Sequence, residues 1–249
     1  MNAKGLQSYC QECGACSASL DANSGCHTDI KSDQDSLIDR IVSEVLHELG
    51  ISTESAGLPG IPLGVSNRHS HLTSETFQRL FGENSEPEVY RKLYQAGEFA
   101  AKQTITIAGS KQRAIQSVRI LGPLRSYDQV ELSLTDAIVL GIQPPVVNSG
   151  NLAEAAPLTL IGPAGSVYIE HCAIIASRHI HMSPSNAHQF GVADGDYCKI
   201  GIGGVKSTIF ENVLIRVKEG WKLQAHLDTD DANAANVRCN MTVKFLGKM

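Results

Sequence analysis

A short histidine motif occurs twice in this sequence. Residues 68–71 (Arg-His-Ser-His) return as residues 178–181 (Arg-His-Ile-His), and each copy follows an apolar segment and leads into a hydroxyl residue. Side chains alternate between the two faces of a β-strand, so the two histidines of each copy point the same way. Two neighbouring neutral imidazoles form half of a metal site. The repeat therefore predicts two related domains, each presenting a metal to a shared cleft.

Each histidine pair needs a further ligand, and two residues fit this role by their context. Glu131 lies in a strand-like alternation with apolar neighbours, and His226 lies near the end of a second alternating segment. An exposed strand glutamate and a histidine bonded to the backbone are the plain alternatives. Three acidic residues compete for the same role: Asp128, Asp228 and Asp230.

The first histidine pair also comes within one residue of the metal signature of cupins, Gly64-x4-His69-x-His71-x3-Glu75-x6-Gly82. The segment 73–81 has the apolar spacing of a helix, however, so the glutamate belongs in a first helical turn. There a carboxylate stabilises the positive helix end instead of reaching a metal on a strand. The second copy has a serine at this position, and the sequence therefore disfavours a cupin.

Two arginines stand close to these candidate ligands. Arg119 and Arg125 flank a Leu-Gly-Pro turn just before Glu131. Arginine forms paired hydrogen bonds with phosphate or carboxylate, so the two residues are candidates for holding an anionic substrate beside the metal. Ordinary surface solvation is the alternative. The Asn-Ser-Gly turn at 148–150 offers hydroxyl and backbone donors to the same anion.

Short β patterns separated by glycine and proline turns dominate the chain from residue 61 onward. The predicted strands are 61–71, 104–108, 117–121, 129–132, 158–162, 166–169, 173–181, 197–202, 208–217 and 223–226, and the predicted helices are 74–81, 135–140, 184–189 and 230–237. Many short strands predict small barrels and not an alternating βαβ sheet. The chain contains neither phosphate-loop motif, which argues against the usual nucleotide-binding domains.

Residues 1–32 are polar and rich in glycine and serine, a composition typical of a flexible tail. Four of the seven cysteines lie here, Cys10, Cys13, Cys16 and Cys26. In a reducing compartment this spacing favours zinc or an iron–sulfur cluster over disulfides. The alternative is a tail with incidental cysteines, since its flanks offer little to pack around a cluster.

The clearest helical pattern of the chain lies in residues 33–50. Apolar residues recur at i, i+3 and i+4 from Leu37 to Leu49, charged residues lie opposite them, and Gly50 stands at the C′ position. A linker follows up to residue 57. Such a tethered amphipathic helix either packs on the body or mediates dimerisation, or it docks on the groove of another protein.

Overall composition excludes several classes of function. The chain of 249 residues is 42% hydrophobic and 19% charged, as in globular proteins, and its net charge of −5 gives no reason to expect a nucleic-acid partner. No apolar segment approaches the roughly 18–20 residues of a membrane span. The start has no apolar signal-peptide core, so the sequence predicts a cytosolic protein.

Six motifs, in order along the chain, resemble the PduL-type phosphotransacylases, the phosphate propanoyltransferase family of bacterial microcompartments. They are 64–72 (GVSNRHSHL), 118–123 (VRILGP), 129–131 (QVE), 140–142 (LGI), 178–182 (RHIHM) and 228–234 (DTDDANA). The resemblance implies a mainly β fold of two related small β-barrel domains with short capping helices, preceded by the amphipathic N-terminal helix. The first barrel domain would comprise 51–67 plus 177–249, and the second 68–176.

The resemblance also implies a reaction, acyl-CoA plus phosphate exchanging with acyl phosphate plus CoA at two divalent metals, usually zinc. One metal would be held by His69, His71 and Glu131, and the other by His179, His181 and His226. Arg125, with Ser149 as a second candidate, would bind phosphate. The residues assigned to CoA are Ser66, Lys92, Arg119, Leu121 and Asn233. We expect direct transfer with no acyl-enzyme.

In this family an N-terminal amphipathic helix often directs packing into a microcompartment. The resemblance therefore implies that 33–50 is an encapsulation segment which binds shell or core proteins, and that the protein works in the cytoplasm inside such a compartment. The cysteine-rich start has no counterpart in the resemblance. A homo-oligomer, by default a dimer, is expected.

Two other functions stay open at this stage. One is a dimetal thioesterase or related hydrolase, which would have no need of Arg125 as a phosphate clamp. The other is a non-catalytic zinc-binding protein of the compartment, whose metal sites would be closed by four protein ligands. Propanoyl and acetyl chains are both compatible with the sequence, and such ligand sets also suit cobalt, iron or manganese.

Overall fold

The computed structural model describes Glu44, which is helical and exposed, and residues 58–249. The cysteine-rich tail predicted at 1–32, and the helix predicted at 33–50 apart from Glu44, lie outside the described residues. From residue 58 onward the strands are β1 (Ile61–Ser66), β2 (His69–His71), β3 (Val89–Lys92), β4 (Phe99–Ala108), β5 (Ala114–Gly122), β6 (Gln129–Glu131), β7 (Val146–Val147), β8 (Ala156–Ile161), β9 (Ser166–Ala176), β10 (His179–Met182), β11 (Tyr197–Ile202), β12 (Thr208–Val217), β13 (Gln224–Asp228) and β14 (Thr242–Lys248). The helices are α1 (Ser74–Phe81), α2 (Leu134–Leu140), α3 (Pro184–Phe190) and α4 (Thr229–Ala235).

These strands form two closed barrels of six strands each. The first has the order β1-β13-β10-β12-β11-β14, and β14 pairs back with β1. The second has the order β4-β5-β2-β6-β9-β8, and β8 pairs back with β4. Strands β3 and β7 extend the second sheet beyond the ring. The predicted mainly β fold with two small barrels and short helices is thereby confirmed.

The chain passes between the two barrels twice, and each crossing lies directly before a histidine pair. Strand β1 belongs to the first barrel and β2 to the second, so the chain crosses at residues 67–68. It returns at residues 177–178, between β9 and β10. The segments 61–71 and 173–181, each predicted as one strand, are therefore two strands in different sheets, and β9 is continuous where two strands were predicted.

Each barrel is filled by its own apolar core, and the histidines lie outside these cores. Ile180 and Met182 are fully buried in the first core, so His179 and His181 on the same strand face outward. In the second barrel Leu72 belongs to the core. The barrel interiors are thus packed with side chains, as small barrels usually are, and the candidate metal ligands lie on the outer walls.

Every strand that carries a candidate ligand runs into a capped helix. The N-cap side chains Thr73, Ser133, Ser183 and Asp228 accept backbone N–H bonds at the starts of α1, α2, α3 and α4. Such caps stabilise a helix by about 1 kcal/mol each. The four N-caps thereby hold the carboxyl ends of β2, β6, β10 and β13, the strands that carry the candidate ligands. No helix in the described part of the chain is long and apolar enough to cross a membrane.

Gly162, just after β8, packs directly against the end of α1. A Cβ atom there would overlap the Leu80 carbonyl oxygen and would lie 2.8 Å from Leu80 Cβ. The same carbonyl accepts a bond from the Ala164 N–H, so it cannot turn away freely. We expect Gly162→Ala to lower the free energy of unfolding by about 1–3 kcal/mol, as overpacked sites do.

Urea and thermal unfolding of Gly162→Ala measure this loss. Gly203→Ala is the matched control, because a Cβ at Gly203 would have no neighbour within 4 Å. Equal unfolding midpoints for the two variants would contradict the close packing of the β8 turn on α1.

Candidate metal and phosphate site

Two groups of potential metal ligands lie on the facing walls of the barrels. Within each group the ligand atoms lie within 4.8 Å of one another. One group belongs to the second barrel and the other to the first: His69, His71 and Glu131, and His179, His181 and His226. These are the ligand sets that the family resemblance implied for two metals.

The first group is built by the pairing of β2 with β6. His69 is the cross-strand partner of Glu131, and His69 Nε2 lies 3.5 Å from Glu131 Oε2. His69 Nδ1 donates a hydrogen bond of 2.8 Å to the Asn67 carbonyl. This bond places the ring proton on Nδ1 and leaves Nε2 with a lone pair for a metal.

The second group repeats this construction on β10 and β13. His179 is the cross-strand partner of His226, and the two rings stack with centroids 4.9 Å apart. His179 Nδ1 donates a hydrogen bond of 2.8 Å to the Ser177 carbonyl. His226 therefore stands where Glu131 stands in the first group, and the two groups differ by one negative charge.

Several ring nitrogens in these groups are buried without a hydrogen-bond partner: His71 Nδ1, His181 Nδ1, His181 Nε2 and His226 Nε2. A buried polar atom without a partner costs about 1–3 kcal/mol. Burial also lowers the pKa of His71 to about 2 and that of His181 to about 3, and it lowers the pKa of His226 well below the usual value. Neutral imidazoles with free lone pairs fit divalent cations.

Glu131 is held by a buried hydrogen-bond network. Gln129 is fully buried, and its Nε2 donates to Glu131 Oε1 at 2.7 Å and to Ser149 Oγ at 2.8 Å. Ser149 Oγ donates to the same Glu131 oxygen at 2.8 Å, while the Gly150 N–H donates to Gln129 Oε1. Burial opposes ionisation, but His69 and the Ser149 hydrogen bond hold the pKa of Glu131 below its usual value. The other carboxylate oxygen, Oε2, is the one that faces His69.

Gln129 was not among the predicted site residues. It lies two positions before Glu131 on β6, so both side chains project from the same face of the strand. This i, i+2 spacing is the sequence signal from which Gln129 could have been predicted as a neighbour of Glu131. Ser149, predicted as a phosphate contact, bonds here to Glu131 and Gln129.

Arg125 lies beside both groups. Its positive charge contributes, after burial and His69, to the low pKa of His71. It adds a smaller contribution to the low pKa of His181, after burial, His179 and Arg216. Its Nη1 donates to the Tyr127 hydroxyl at 3.0 Å, and its Nη2 lies 3.9 Å from Glu98 Oε1. The side chain is 27% exposed. A partly open guanidinium next to candidate metal ligands is suited to holding an anion.

One small cavity joins the two ligand groups. It has a volume of about 20 Å³, and its lining includes His69 and Glu131 from one group and His179 and His226 from the other. Ser66, a predicted CoA contact, lines the same cavity. Residues of both ligand groups therefore border a single space.

The other predicted CoA residues lie on several elements. Lys92 is exposed on β3, Asn233 is exposed on α4, and Leu121 is partly buried on β5. Arg119, also on β5, donates to the Ala101 and Lys102 carbonyls at 2.9 Å. Its guanidinium lies 5.2 Å from the centre of the Tyr90 ring.

The competing acidic residues serve helix ends. Asp128 accepts bonds from the Thr73 N–H and the Thr76 hydroxyl near the start of α1, and Asp228 caps α4. Asp230 accepts the Thr135 N–H of α2 across the barrel interface. Glu75 is exposed in the first turn of α1, the position that counted against a cupin.

Comparison with known proteins gives a single result. A family model described as phosphate propanoyltransferase matches residues 62–238. The phosphate propanoyltransferase of Lachnoclostridium phytofermentans is 44% identical over 219 residues, which cover 87% of this chain and 100% of that protein. The enzyme of the same name from Thermotoga maritima is 50% identical over 178 residues, covering 71% and 84% of the two chains. That from Salmonella arizonae is 48% identical over 176 residues, covering 70% and 83%.

Proposed function

The chain belongs to the phosphate propanoyltransferase family, and from this premise we propose that it exchanges an acyl group, propanoyl or acetyl, between CoA and phosphate. The observation that supports the proposal is the position of Arg125, a partly exposed guanidinium whose backbone N–H donates to the carbonyl of Leu72, the residue after His71. A thioesterase with the same ligand groups would have no use for a fixed cation beside them.

We propose that each of the two ligand groups holds one divalent cation, and that this cation is zinc. When bound, such cations would polarise the thioester carbonyl and stabilise the departing thiolate. His69, His71 and Glu131 would hold one of them, and His179, His181 and His226 the other. The orphaned buried ring nitrogens support this assignment.

The remaining chemistry falls to the side chains of the protein. Arg125 orients phosphate and removes part of the entropic barrier to its attack. A phosphate oxygen forms a bond to the thioester carbon, the carbon–sulfur bond breaks, and the electron pair leaves with the CoA sulfur. Gln129 and Ser149 hold the carboxylate of Glu131 in one orientation during this step. No side-chain nucleophile is required, so the transfer is direct.

The CoA contacts are proposed at Ser66, Lys92, Arg119, Leu121 and Asn233. Two of these side chains are cations, which match the phosphates of CoA in charge. Ser66 borders the cavity between the ligand groups, which supports a thioester end of the CoA site at this place.

The test follows CoA release from propanoyl-CoA with and without phosphate, while acyl phosphate is trapped as the hydroxamate. Release that requires phosphate and yields hydroxamate in equal amount is expected. Release without phosphate would identify a thioesterase, and no release from metal-loaded protein would identify a zinc-binding structural protein. An acylated side chain formed from propanoyl-CoA alone would exclude direct transfer.

We also propose that the protein works inside a bacterial microcompartment, where residues 33–50 contact shell or core proteins, and that it assembles as a homo-oligomer. The amphipathic pattern from Leu37 to Leu49 supports the first part. Shell association that survives deletion of residues 1–50 would contradict it. Sedimentation of the full chain measures the oligomeric state.

A zinc ion or iron–sulfur cluster at Cys10, Cys13, Cys16 and Cys26 is a separate proposal, supported by the spacing of these residues. Metal analysis and absorption spectra of the full chain, compared with a chain carrying serine at the four positions, test it. Identical metal content in the two chains would leave this segment as a tail with incidental cysteines.

A further inference from the structure

In each ligand group, one histidine is paired across two strands with the third ligand, Glu131 or His226. These cross-strand pairs lie at the ends of very short strand ladders. The β2–β6 ladder has three pairs, and His69–Glu131 is the last of them at one end. The β10–β13 ladder also has three pairs, and His179–His226 is again at one end. Ladder ends open more readily than ladder centres. A metal site built there needs an additional contact that keeps the two strands together.

Each ladder has such a contact one residue beyond its end. Arg68, which precedes His69, binds Asp136 through Nε at 2.9 Å and Nη2 at 2.8 Å. Arg178, which precedes His179, binds Asp231 through Nε at 2.7 Å. In both cases the carboxylate is the third residue of the helix that follows the third ligand, α2 after Glu131 and α4 after His226.

The carboxylates of these two ion pairs are the shielded partners. The Asp136 side chain is 5% exposed and that of Asp231 is 18% exposed, whereas the arginines are 44% and 36% exposed. Asp136 also belongs to the capping box of α2 with Ser133. Loss of the arginine leaves a shielded carboxylate without its partner. The start of the helix that carries this carboxylate, α2 for Asp136 or α4 for Asp231, would then shift so that water reaches the carboxylate.

We propose that Arg68 and Arg178 are matched positioning residues, each of which holds one ligand group in its metal-binding geometry by clamping the end of its ladder. This inference rests on the metal-binding part of the proposed function. Each arginine is assigned to one group only, Arg68 to the group with Glu131 and Arg178 to the group with His226. The assignment follows from the internal repeat, because the same contact recurs at the same place in both barrels.

The direction of the effect separates positioning from simple electrostatics. A positive charge near a cation site weakens cation binding, so removal of an arginine would tighten binding if charge alone mattered. If the arginine instead positions the ligands, its removal weakens cation binding. Lysine in place of arginine keeps the charge but loses the fixed fork of donors, so it should also weaken binding if position is what matters.

The experiment uses full chains in which the four N-terminal cysteines are serine and a single ligand group remains. His181→Ala with His226→Ala retains the first group, and His71→Ala with Glu131→Ala retains the second. Arg68→Met, Arg68→Lys or Arg178→Met is then added to each chain. The Zn²⁺ dissociation constant is measured by competition with a chromophoric chelator, and circular dichroism checks the fold.

Arg68→Met is expected to weaken Zn²⁺ binding by the first group about 10- to 100-fold, the usual effect of losing a partner that orients metal ligands. The second group should change by less than about twofold, because the Arg68–Asp136 pair lies at the end of the β2–β6 ladder and not of the β10–β13 ladder. Arg178→Met should give the reverse pattern. Arg68→Lys, which disturbs the fold least, should weaken only the first group.

Three results would overturn the inference. Unchanged binding in Arg68→Met would show that Arg68 does not position the first group, and tighter binding would show that its charge dominates. Equal weakening of both groups by either arginine variant would show a general loss of structure. Absence of Zn²⁺ binding by the parent chains would remove the metal sites themselves, and with them both the inference and this part of the proposed function.

Discussion

Replacement of Glu131 with alanine is expected to lower phosphate-dependent CoA release by about 10³-fold. A metal site supplies several kcal/mol of transition-state stabilisation, and each ~1.4 kcal/mol is a factor of ten in rate. Glu131 supplies the one carboxylate among the six candidate ligands. Its loss also leaves the Gln129 amide and the Ser149 hydroxyl without their shared acceptor.

Metal analysis and steady-state kinetics of the same preparations check this expectation. Glu131→Gln retains the shape and an oxygen acceptor but loses the charge, so it should lose metal while keeping its fold. Glu170→Ala is the control, because Glu170 is exposed on β9. Normal turnover by Glu131→Ala with reduced metal content would show that this ligand group takes no part in the reaction.

Arg125→Ala is expected to lower kcat/KM for phosphate by about 10²- to 10³-fold, the range found when a charge-stabilising donor is removed from an active site. Arg125→Lys should recover only part of this loss, because an ammonium lacks the planar fork that matches phosphate. The backbone N–H of Arg125 donates to the Leu72 carbonyl, and this bond is available to any residue except proline. The variants should therefore keep the local fold.

Initial rates over a range of phosphate concentrations, at saturating propanoyl-CoA, measure the effect of these substitutions. Arg113→Ala serves as the matched control, since Arg113 is exposed and donates only to the Ile138 carbonyl. If Arg125→Ala retained the phosphate dependence of the unaltered chain, the anion site would lie elsewhere. Equal release of CoA without phosphate by Arg125→Ala and by the unaltered chain would favour the thioesterase.

The histidine pairs could be placed from sequence because their geometry is local. Spacing of i and i+2 on a strand fixes which face the rings share, whatever the rest of the chain does. The third ligands were harder, since Glu131 and Asp128 are both plausible by composition. Asp128 bonds to Thr73 and Thr76 at the start of α1, a contact between segments far apart in sequence.

Local patterns did not indicate the crossings between the barrels, which entered the prediction only through the domain bounds implied by the family resemblance. The polar residues 67–68 and 177–178 lie inside segments that were each predicted as one strand, and a local pattern does not state which sheet a residue joins. The exposed strand β3 gave no alternation to detect. Strand β14 does alternate, with Val243 and Phe245 buried, but it lies beyond the region of family resemblance and was not among the predicted strands.

The route of the chain through the barrels also has a consequence for synthesis on the ribosome. Every strand of the second barrel lies between residues 69 and 176, so that barrel can close while later segments are still being made. Strand β1 emerges before it but pairs with β13 and β14, the last strands to appear. N-terminal units generally fold first during translation, and pairings across long sequence separations form slowly. The ligand group with Glu131 is therefore complete on the nascent chain before His226 has been synthesised. Strand β1 stays without its partner strands until β13 and β14 have been synthesised.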